Sequence, residues 1–195
     1  ATAKTLLQAE TGMADVDVSK VMQDFDAYFT NDYAKFVNGE KPEAVARIDK
    51  ALSKMVPHDG EIYRGIHLVP RELDSLLDAA APGAEIRMKS ISSWTSNRGV
   101  ADEFAGKNFS GATETVVFSC KKNLTSVGVR HISSCAKNED EVLALSTSKW
   151  RVVDVKKTEQ TYVRFGVTEP KMTYDNRVNG YVQAYDTVIE LEEIL

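Results

Sequence analysis

The sequence contains little of the material from which metal sites and disulfide frameworks are built. Its 195 residues include two cysteines, Cys120 and Cys135, and three histidines, and none of these stands at the spacing of zinc ligands. We therefore expect no metal site. Two cysteines permit either a single disulfide, if the protein is exported, or two buried free thiols, and the sequence leaves both alternatives open.

Long apolar runs and an excess of basic residues are also missing. No segment approaches the roughly 20 apolar residues of a transmembrane helix. The formal net charge of −5 argues against a broad electrostatic surface for nucleic acid or an anionic membrane. The composition is that of a globular protein with a hydrophobic core, and we expect a monomer. The chain begins at Ala rather than Met, from which we expect a processed or trimmed product.

The common nucleotide-binding and hydrolase motifs are absent as well. No G-x-G-x-x-G follows a predicted strand, and there is no G-x-x-x-x-G-K followed by Ser or Thr. There is also no G-x-S-x-G and no Ser-His-Asp arrangement, which argues against a serine hydrolase. Any nucleotide must therefore be bound without a Rossmann or P-loop cradle.

Hydrophobic periodicity divides one predicted domain, residues 1–195, into a mainly helical part (1–57) and a mainly β part (58–195). Helical spacing of apolar residues covers four segments: 18–29, 42–57, 70–77 and 100–105. Besides the segment around Arg64, β-prone runs cover six segments: 85–93, 113–120, 141–146, 150–156, 162–167 and 187–192. Helices followed by strands indicate an α+β fold with antiparallel sheets.

The strongest chemical signal is a pair of glutamates before an apolar strand, Glu139 and Glu141. In an extended backbone, side chains two residues apart point to the same face, whereas Asp140 between them points away. Two neighbouring carboxylates in a cleft repel each other, which raises the pKa of one of them and suits acid-base chemistry or stabilisation of a cation. A solvated acidic turn is the alternative interpretation.

Two further segments carry polar groups on predicted strands. Arg64 lies on an apolar strand and is followed by Gly65, so a guanidinium could bind a phosphate where the glycine backbone approaches a ligand closely. A structural arginine paired with a core carboxylate is the alternative. The segment 90–97 is rich in hydroxyl groups that could orient a carboxylate, or could simply face water on an edge strand.

The order of these three signals resembles the R, S-T-S and E-x-E motifs of mono-ADP-ribosyltransferases, and the two glutamates resemble the arginine-modifying branch. The resemblance covers roughly residues 60–195, including a short helix that ends in Phe104-Ala105. One departure stands out, because alignment on Thr95-Ser96 puts Trp94 at the first serine of S-T-S. Either Ser93 takes that role through a bulge, or Thr95 and Ser96 suffice.

The resemblance implies N-terminal helices packed on two roughly perpendicular antiparallel sheets, with NAD⁺ bound between the sheets as the substrate. It implies that Glu141 stabilises the oxocarbenium ion formed as nicotinamide leaves, and that Glu139 orients and deprotonates the acceptor guanidinium. The loop 133–138 is expected to meet the target protein. The remaining expected NAD⁺ contacts are Arg64, Gly65, Ser93, Thr95, Ser96, Lys107 and Phe109.

The expected activity is transfer of ADP-ribose from NAD⁺ to an arginine of a target protein, with slow NAD⁺ hydrolysis beside it. A secreted bacterial toxin that acts in the cytoplasm of a target cell is the first interpretation, and a phage enzyme acting on proteins of its bacterial host is the second. An NAD⁺ glycohydrolase without transfer is a variant. A catalytically silent binding module is the alternative from another class, favoured by Trp94 and opposed by the intact E-x-E.

Overall fold

The computed structural model describes residues 2–106 and 113–195. Seven helices lie in this part of the chain: α1 (Ala3–Thr11), α2 (Asp15–Phe29), α3 (Tyr33–Val37), α4 (Pro42–Leu52), α5 (Pro70–Ala79), α6 (Arg98–Phe104) and α7 (Ser134–Asn138). Its strands are β1 (Ile62–Leu68), β2 (Glu85–Arg87), β3 (Ser92–Thr95), β4 (Glu114–Cys120), β5 (Val127–Gly128), β6 (Glu141–Ala144), β7 (Lys149–Glu159), β8 (Thr161–Arg164), β9 (Val167–Pro170), β10 (Met172–Asp175), β11 (Gly180–Gln183) and β12 (Tyr185–Ile194). The α+β class is confirmed.

The four N-terminal helices share one hydrophobic core with β5 and β6, the two strands at one edge of the main sheet. On α2 the buried positions Val18, Val21, Phe25 and Tyr28 follow the period of 3.6 that the sequence predicts. They pack with residues of α1, α3 and α4 and with Leu143 of β6. The helical part is therefore held directly against the strand that carries Glu141.

The main sheet has eight strands in the order β2-β7-β12-β4-β1-β3-β6-β5. All of its pairs are antiparallel except β4 with β12, which run parallel. The two sheets expected from the sequence are thus joined into one hydrogen-bonded sheet. The join is narrow, because β1 and β3 share the single paired position Tyr63 with Thr95. A second core includes residues from both halves of the sheet, among them Trp94 of β3, Phe118 of β4 and Trp150 of β7.

Two predicted strands are divided in the structure. The run 85–93 forms β2 and the start of β3, which belong to opposite halves of the sheet. The run 162–167 contains a hairpin turn, because Phe165 and Gly166 have φ of 51° and 72°, and the chain reverses there into β9. The hairpin β10-β11 was not predicted, and neither were the strand β5 and the helices α1, α3 and α7.

Neither a disulfide nor a pair of buried thiols describes the two cysteines. Both are free: Cys120 is buried in the sheet, and Cys135 at the start of α7 is exposed. Burial raises the pKa of the Cys120 thiol to about 11, which keeps that thiol unreactive. Among residues 2–106 and 113–195, no helix is both long and apolar enough to cross a membrane.

Candidate active site

A cavity of about 330 Å³ opens at the narrow join between the two halves of the sheet. The strands β1 and β3 form its floor, α6 and the N-terminal helices contribute aromatic rings, and the glutamates of the E-x-E segment close it. The lining residues are Tyr33, Tyr63, Arg64, Gly65, Ile66, His67, Ser93, Trp94, Thr95, Phe104, Glu139 and Glu141.

The E-x-E segment reaches this cavity by a turn rather than by an extended strand. Glu139 is the C-terminal cap of α7, with φ −101° and ψ 4°, and Asp140 has a left-handed φ of 47°. The predicted extended backbone is therefore wrong, whereas the prediction that both glutamates face one cleft is confirmed by the cavity lining. Asp140 holds the turn, since its carboxylate lies 3.2 Å from Arg130 Nε and its carbonyl accepts from the Ser96 N–H.

Glu141 is the most deeply buried carboxyl of the cavity, at 4% exposure. Burial raises its pKa from 4.5 to about 7; the nearby Glu139 also raises it, whereas a hydrogen bond from Ser93 and the charge of Arg64 lower it. The desolvated carboxylate is thus surrounded by one donor and one cation that favour its charged form. Such a group can be ionised at neutral pH and can stabilise a cation in a poorly solvated site.

Glu139 lies at the edge of the cavity and is half-buried. Desolvation raises its pKa as well. Its backbone is anchored by Thr95, whose hydroxyl donates to the Glu139 carbonyl at 2.7 Å and accepts from the Asn97 N–H at 3.0 Å. A carboxylate with a raised pKa at the rim of a cavity is suited to taking a proton from a bound group.

The strand β3 alternates regularly and contains no bulge. Its pairing with β6 runs without a shift from Ser92 opposite Ala144 to Thr95 opposite Glu141. Trp94 is buried in the core of the sheet, packs on Trp150 at 5.0 Å between ring centroids and donates to Ser92 Oγ. The hydroxyl whose hydrogen bonding lowers the pKa of Glu141 belongs to Ser93, which lies in an ordinary strand conformation.

Arg64 and Gly65 lie side by side on β1 at the floor of the cavity. The guanidinium Nη1 of Arg64 donates to the Ser93 carbonyl at 2.8 Å, which ties the arginine to the same strand that orients Glu141. At Gly65 a Cβ atom would lie 1.8 Å from the Ala101 carbonyl oxygen. Glycine is therefore required here by the close packing of α6 against β1, a reason that the sequence did not reveal.

Not every predicted contact residue lines this cavity. Ser96 is exposed and lies outside the lining. Lys107 and Phe109 fall outside the described residues. The aromatic residues Tyr33 and Phe104 line the cavity but were not predicted as site residues. For Phe104 the position at the end of the motif helix was a usable signal, whereas Tyr33 comes from the helical part, where the sequence shows no motif.

A second cavity of about 340 Å³ lies against the N-terminal helices and shares Tyr33, Ser93, Phe104 and both glutamates with the first. Three residues line the second cavity but not the first: Tyr28, Phe29 and Cys135. The two carboxyl groups therefore line two adjoining cavities, one on the Arg64 side and one on the helical side. The lining of the helical side contains aromatic rings and carboxyl groups and no lysine or arginine within the described part of the chain, so it favours a cation.

Within residues 2–106 and 113–195 no group of three His, Cys, Asp or Glu side chains is arranged to hold a metal ion.

No family model matches the sequence, and no curated protein matches it. Among solved structures, the chain is similar to the Vis toxin, an ADP-ribosyltransferase from Vibrio splendidus, at 18% identity and a TM-score of 0.55 over 99% of this chain and 82% of that one. It is similar to the C3 exoenzyme of Clostridium limosum at 15% identity and a TM-score of 0.57, over 98% and 91% of the two chains.

A third similar structure is exoenzyme S from Pseudomonas aeruginosa, solved with human 14-3-3 protein beta and carba-NAD. The identity is 15% and the TM-score 0.56, over 94% of this chain and 77% of that chain. The chain therefore has the fold of the ADP-ribosyltransferases. At these identities the likeness concerns the fold, and the activity has to be argued from the site.

Proposed function

We propose that this chain transfers ADP-ribose from NAD⁺ to the side chain of an arginine and releases nicotinamide. The observation that carries the proposal is that Glu139 and Glu141 line two adjoining cavities, with Arg64 on the floor of one of them. A transferase needs a donor and an acceptor on either side of the groups that catalyse the reaction, and this arrangement provides for both.

The cavity on the Arg64 side is assigned to NAD⁺. Arg64 binds the ribose or phosphate groups of the dinucleotide, and Gly65 offers its backbone to the nicotinamide amide. Ser93, with Thr95 as a second support, positions Glu141. Ser96, Lys107 and Phe109 remain predicted contacts of the same substrate.

Cleavage of NAD⁺ then depends on Glu141. As the bond between nicotinamide and ribose breaks, its electron pair leaves with nicotinamide, and positive charge develops on the ribose. A fixed carboxylate in a poorly solvated cavity stabilises that charge more in the transition state than in the ground state. Glu141 also accepts a hydrogen bond from a hydroxyl of the ribose, which holds the reacting carbon in place.

The cavity on the helical side is assigned to the acceptor guanidinium. Its lining has the aromatic faces of Tyr33 and Phe104 beside the Glu139 carboxyl, and a guanidinium is attracted both by aromatic faces and by carboxylates. Glu139 takes a proton from the guanidinium as the nitrogen bonds to the ribose carbon. The Vis toxin, which shares the fold, has been solved in complex with agmatine, a small molecule that carries the same guanidinium group.

Water can capture the same cation when no acceptor is bound, so slow NAD⁺ hydrolysis accompanies transfer. The biological setting is proposed by analogy with the Vis toxin and the C2 toxin component, both of which share the fold. We propose that the single domain acts as a monomeric secreted toxin on a target protein in the cytoplasm of another cell. The helix α7, which forms part of the segment 133–138, would meet that target.

The test uses NAD⁺ labelled in its adenylate half. Agmatine or an arginine-rich polypeptide is the acceptor, and putrescine, a diamine of similar length without a guanidinium, is the matched control. We expect label on agmatine and on the polypeptide, none on putrescine, and free ADP-ribose when no acceptor is present. Free ADP-ribose alone contradicts transfer and favours a glycohydrolase, whereas no turnover of NAD⁺ at all favours a silent module.

A further inference from the structure

Tyr28 links the N-terminal helices to the proposed catalytic carboxylate. It lies on α2 and is 1% exposed, yet its hydroxyl oxygen is 2.6 Å from Ser93 Oγ. Ser93 lines the same cavity as Glu141, and hydrogen bonding by its side chain lowers the pKa of the Glu141 carboxyl. The three side chains therefore form one hydrogen-bonded series that runs from the helical part of the chain to the cavity.

The ring of Tyr28 is fixed in place by its neighbours. Edge-on contacts surround it, with ring centroids at 5.5 Å from Phe29, 5.4 Å from Tyr33 and 5.3 Å from Phe36. Burial, and then the nearby Tyr33, raise the pKa of Tyr28 well above its usual range. The phenol consequently keeps its proton at neutral pH and can act as a donor from a fixed position.

The direction of the protons follows from what each group can do. An ionised Glu141 only accepts hydrogen bonds, and the Ser93 hydroxyl has a single proton. If the Tyr28 phenol donates to Ser93 Oγ, the Ser93 proton is available for Glu141, and every hydrogen bond in the series is made. Hydrogen bonds in such a series polarise one another, so the first donor strengthens the last bond.

We infer that Tyr28 is a positioning residue that acts through Ser93 to orient Glu141 and to favour its ionised form. The inference rests on the proposed function, in which Glu141 must be ionised to stabilise the ribose cation. It gives the N-terminal helices a direct part in the reaction, beyond their packing against the sheet.

Other groups also face Glu141 and have to be held constant in any test. Glu139 at the end of α7 opposes the ionisation of Glu141, and Arg64 on β1 favours it. The cavity walls add Tyr33, Tyr63 and His67 on the first side and Cys135 on the second. A substitution at Tyr28 leaves all of these side chains in place.

The test is the pH dependence of NAD⁺ hydrolysis by the Tyr28→Phe variant, which keeps the ring and removes the hydroxyl. We expect the acid limb of kcat/KM to move upward by about 0.5 pH unit, since the lost hydrogen bond acts on Glu141 through one intermediate. The rate should return to the parent's value on the alkaline side, with KM for NAD⁺ unchanged. Tyr162→Phe is the control, because it removes a phenol hydrogen bond of the same length, 2.6 Å to Glu169 Oε2, on a distant hairpin.

A double substitution separates this role from a structural one. Ser93→Ala should move the limb further in the same direction, and adding Tyr28→Phe to Ser93→Ala should change nothing more, because Tyr28 acts through Ser93. Three outcomes overturn the inference: an unmoved acid limb in Tyr28→Phe, a loss of rate that is equal at all pH values, or additive shifts in the double variant.

Failure of the proposed function would be recognised separately, as an absence of NAD⁺ turnover in the parent protein. In that case the inference is tested on the carboxyl group itself. The titration of ¹³C-labelled Glu141 is followed by NMR in the parent protein and in the Tyr28→Phe variant. A higher pKa for Glu141 in the variant supports the hydrogen-bonded series. Identical titration curves overturn it.

Discussion

Substitution of Glu141 by Gln is expected to stabilise the protein and to inactivate it. Burial raises the pKa of Glu141 from 4.5 to about 7, so the folded protein holds this proton more tightly than the unfolded chain does. Stability is therefore highest below the unfolded pKa and falls as the pH rises through the window between the two values. A difference of about 2.5 units corresponds to roughly 3 kcal/mol at about 1.4 kcal/mol per unit. Glutamine stays neutral and does not incur this loss.

Urea unfolding of the parent and of Glu141→Gln measures the effect. We expect the variant to be more stable by roughly 3 kcal/mol at about pH 8 and by only about 1 kcal/mol at about pH 5. NAD⁺ cleavage, followed by release of nicotinamide, should fall by about 10²–10³-fold. Glu192→Gln on the surface is the control and should change stability by less than about 0.5 kcal/mol. A variant that is no more stable at the higher pH, or that still cleaves NAD⁺, refutes the reasoning.

Three further predictions follow from the same geometry. The acid limb of NAD⁺ hydrolysis should be half-maximal near pH 7, because the pKa of Glu141 is about 7, and a limb at the ordinary carboxyl pKa contradicts this. Arg64→Lys should raise KM for NAD⁺ about tenfold or more, because a lysine cannot reproduce the planar donor fork; a folded variant with an unchanged KM assigns Arg64 a structural role. Gly65→Ala should lose about 1–3 kcal/mol in urea unfolding or fail to fold, because its Cβ would meet the Ala101 carbonyl oxygen, and unchanged stability would show that α6 can move away.

The acidic pair shows how much local pattern can predict. The spacing of Glu139 and Glu141 correctly indicates that both face one cleft, but the predicted backbone is wrong. An extended strand and a helix end followed by a left-handed residue both place these side chains on one side. The left-handed Asp140 depends on its contacts with Arg130 and with the Ser96 N–H, which come from other segments and leave no local signal.

In the hydroxyl-rich strand β3, by contrast, the local sequence pattern leaves the assignment of residues open. The sequence leaves open which hydroxyl serves Glu141, because Trp94 interrupts the motif. In the structure Trp94 occupies a core position beside Trp150, and the alternation of the strand then presents Ser93 to the cavity. The burial of a tryptophan on the core face therefore decides the register, and no bulge is needed.

The helical contribution to the site could not be predicted. Tyr28 has the spacing of a core residue on α2, and burial confirms that role. Its hydroxyl meets Ser93 across a separation of 65 residues, a contact created by the packing of α2 against the sheet. Helical periodicity reports which face is buried and does not report which polar group that face meets.

The most direct measurement of the central claim compares two activities of the Glu139→Gln variant. Transfer of ADP-ribose to agmatine and hydrolysis of NAD⁺ without an acceptor are measured side by side, with the parent as the reference. If Glu139 serves the acceptor and Glu141 the cleavage of NAD⁺, transfer falls by roughly 10²–10⁴-fold, the usual contribution of a general base. Hydrolysis stays within about tenfold of the parent, because water needs less help than a guanidinium to attack a cation. A parallel loss of both activities, or no loss of either, would contradict the account.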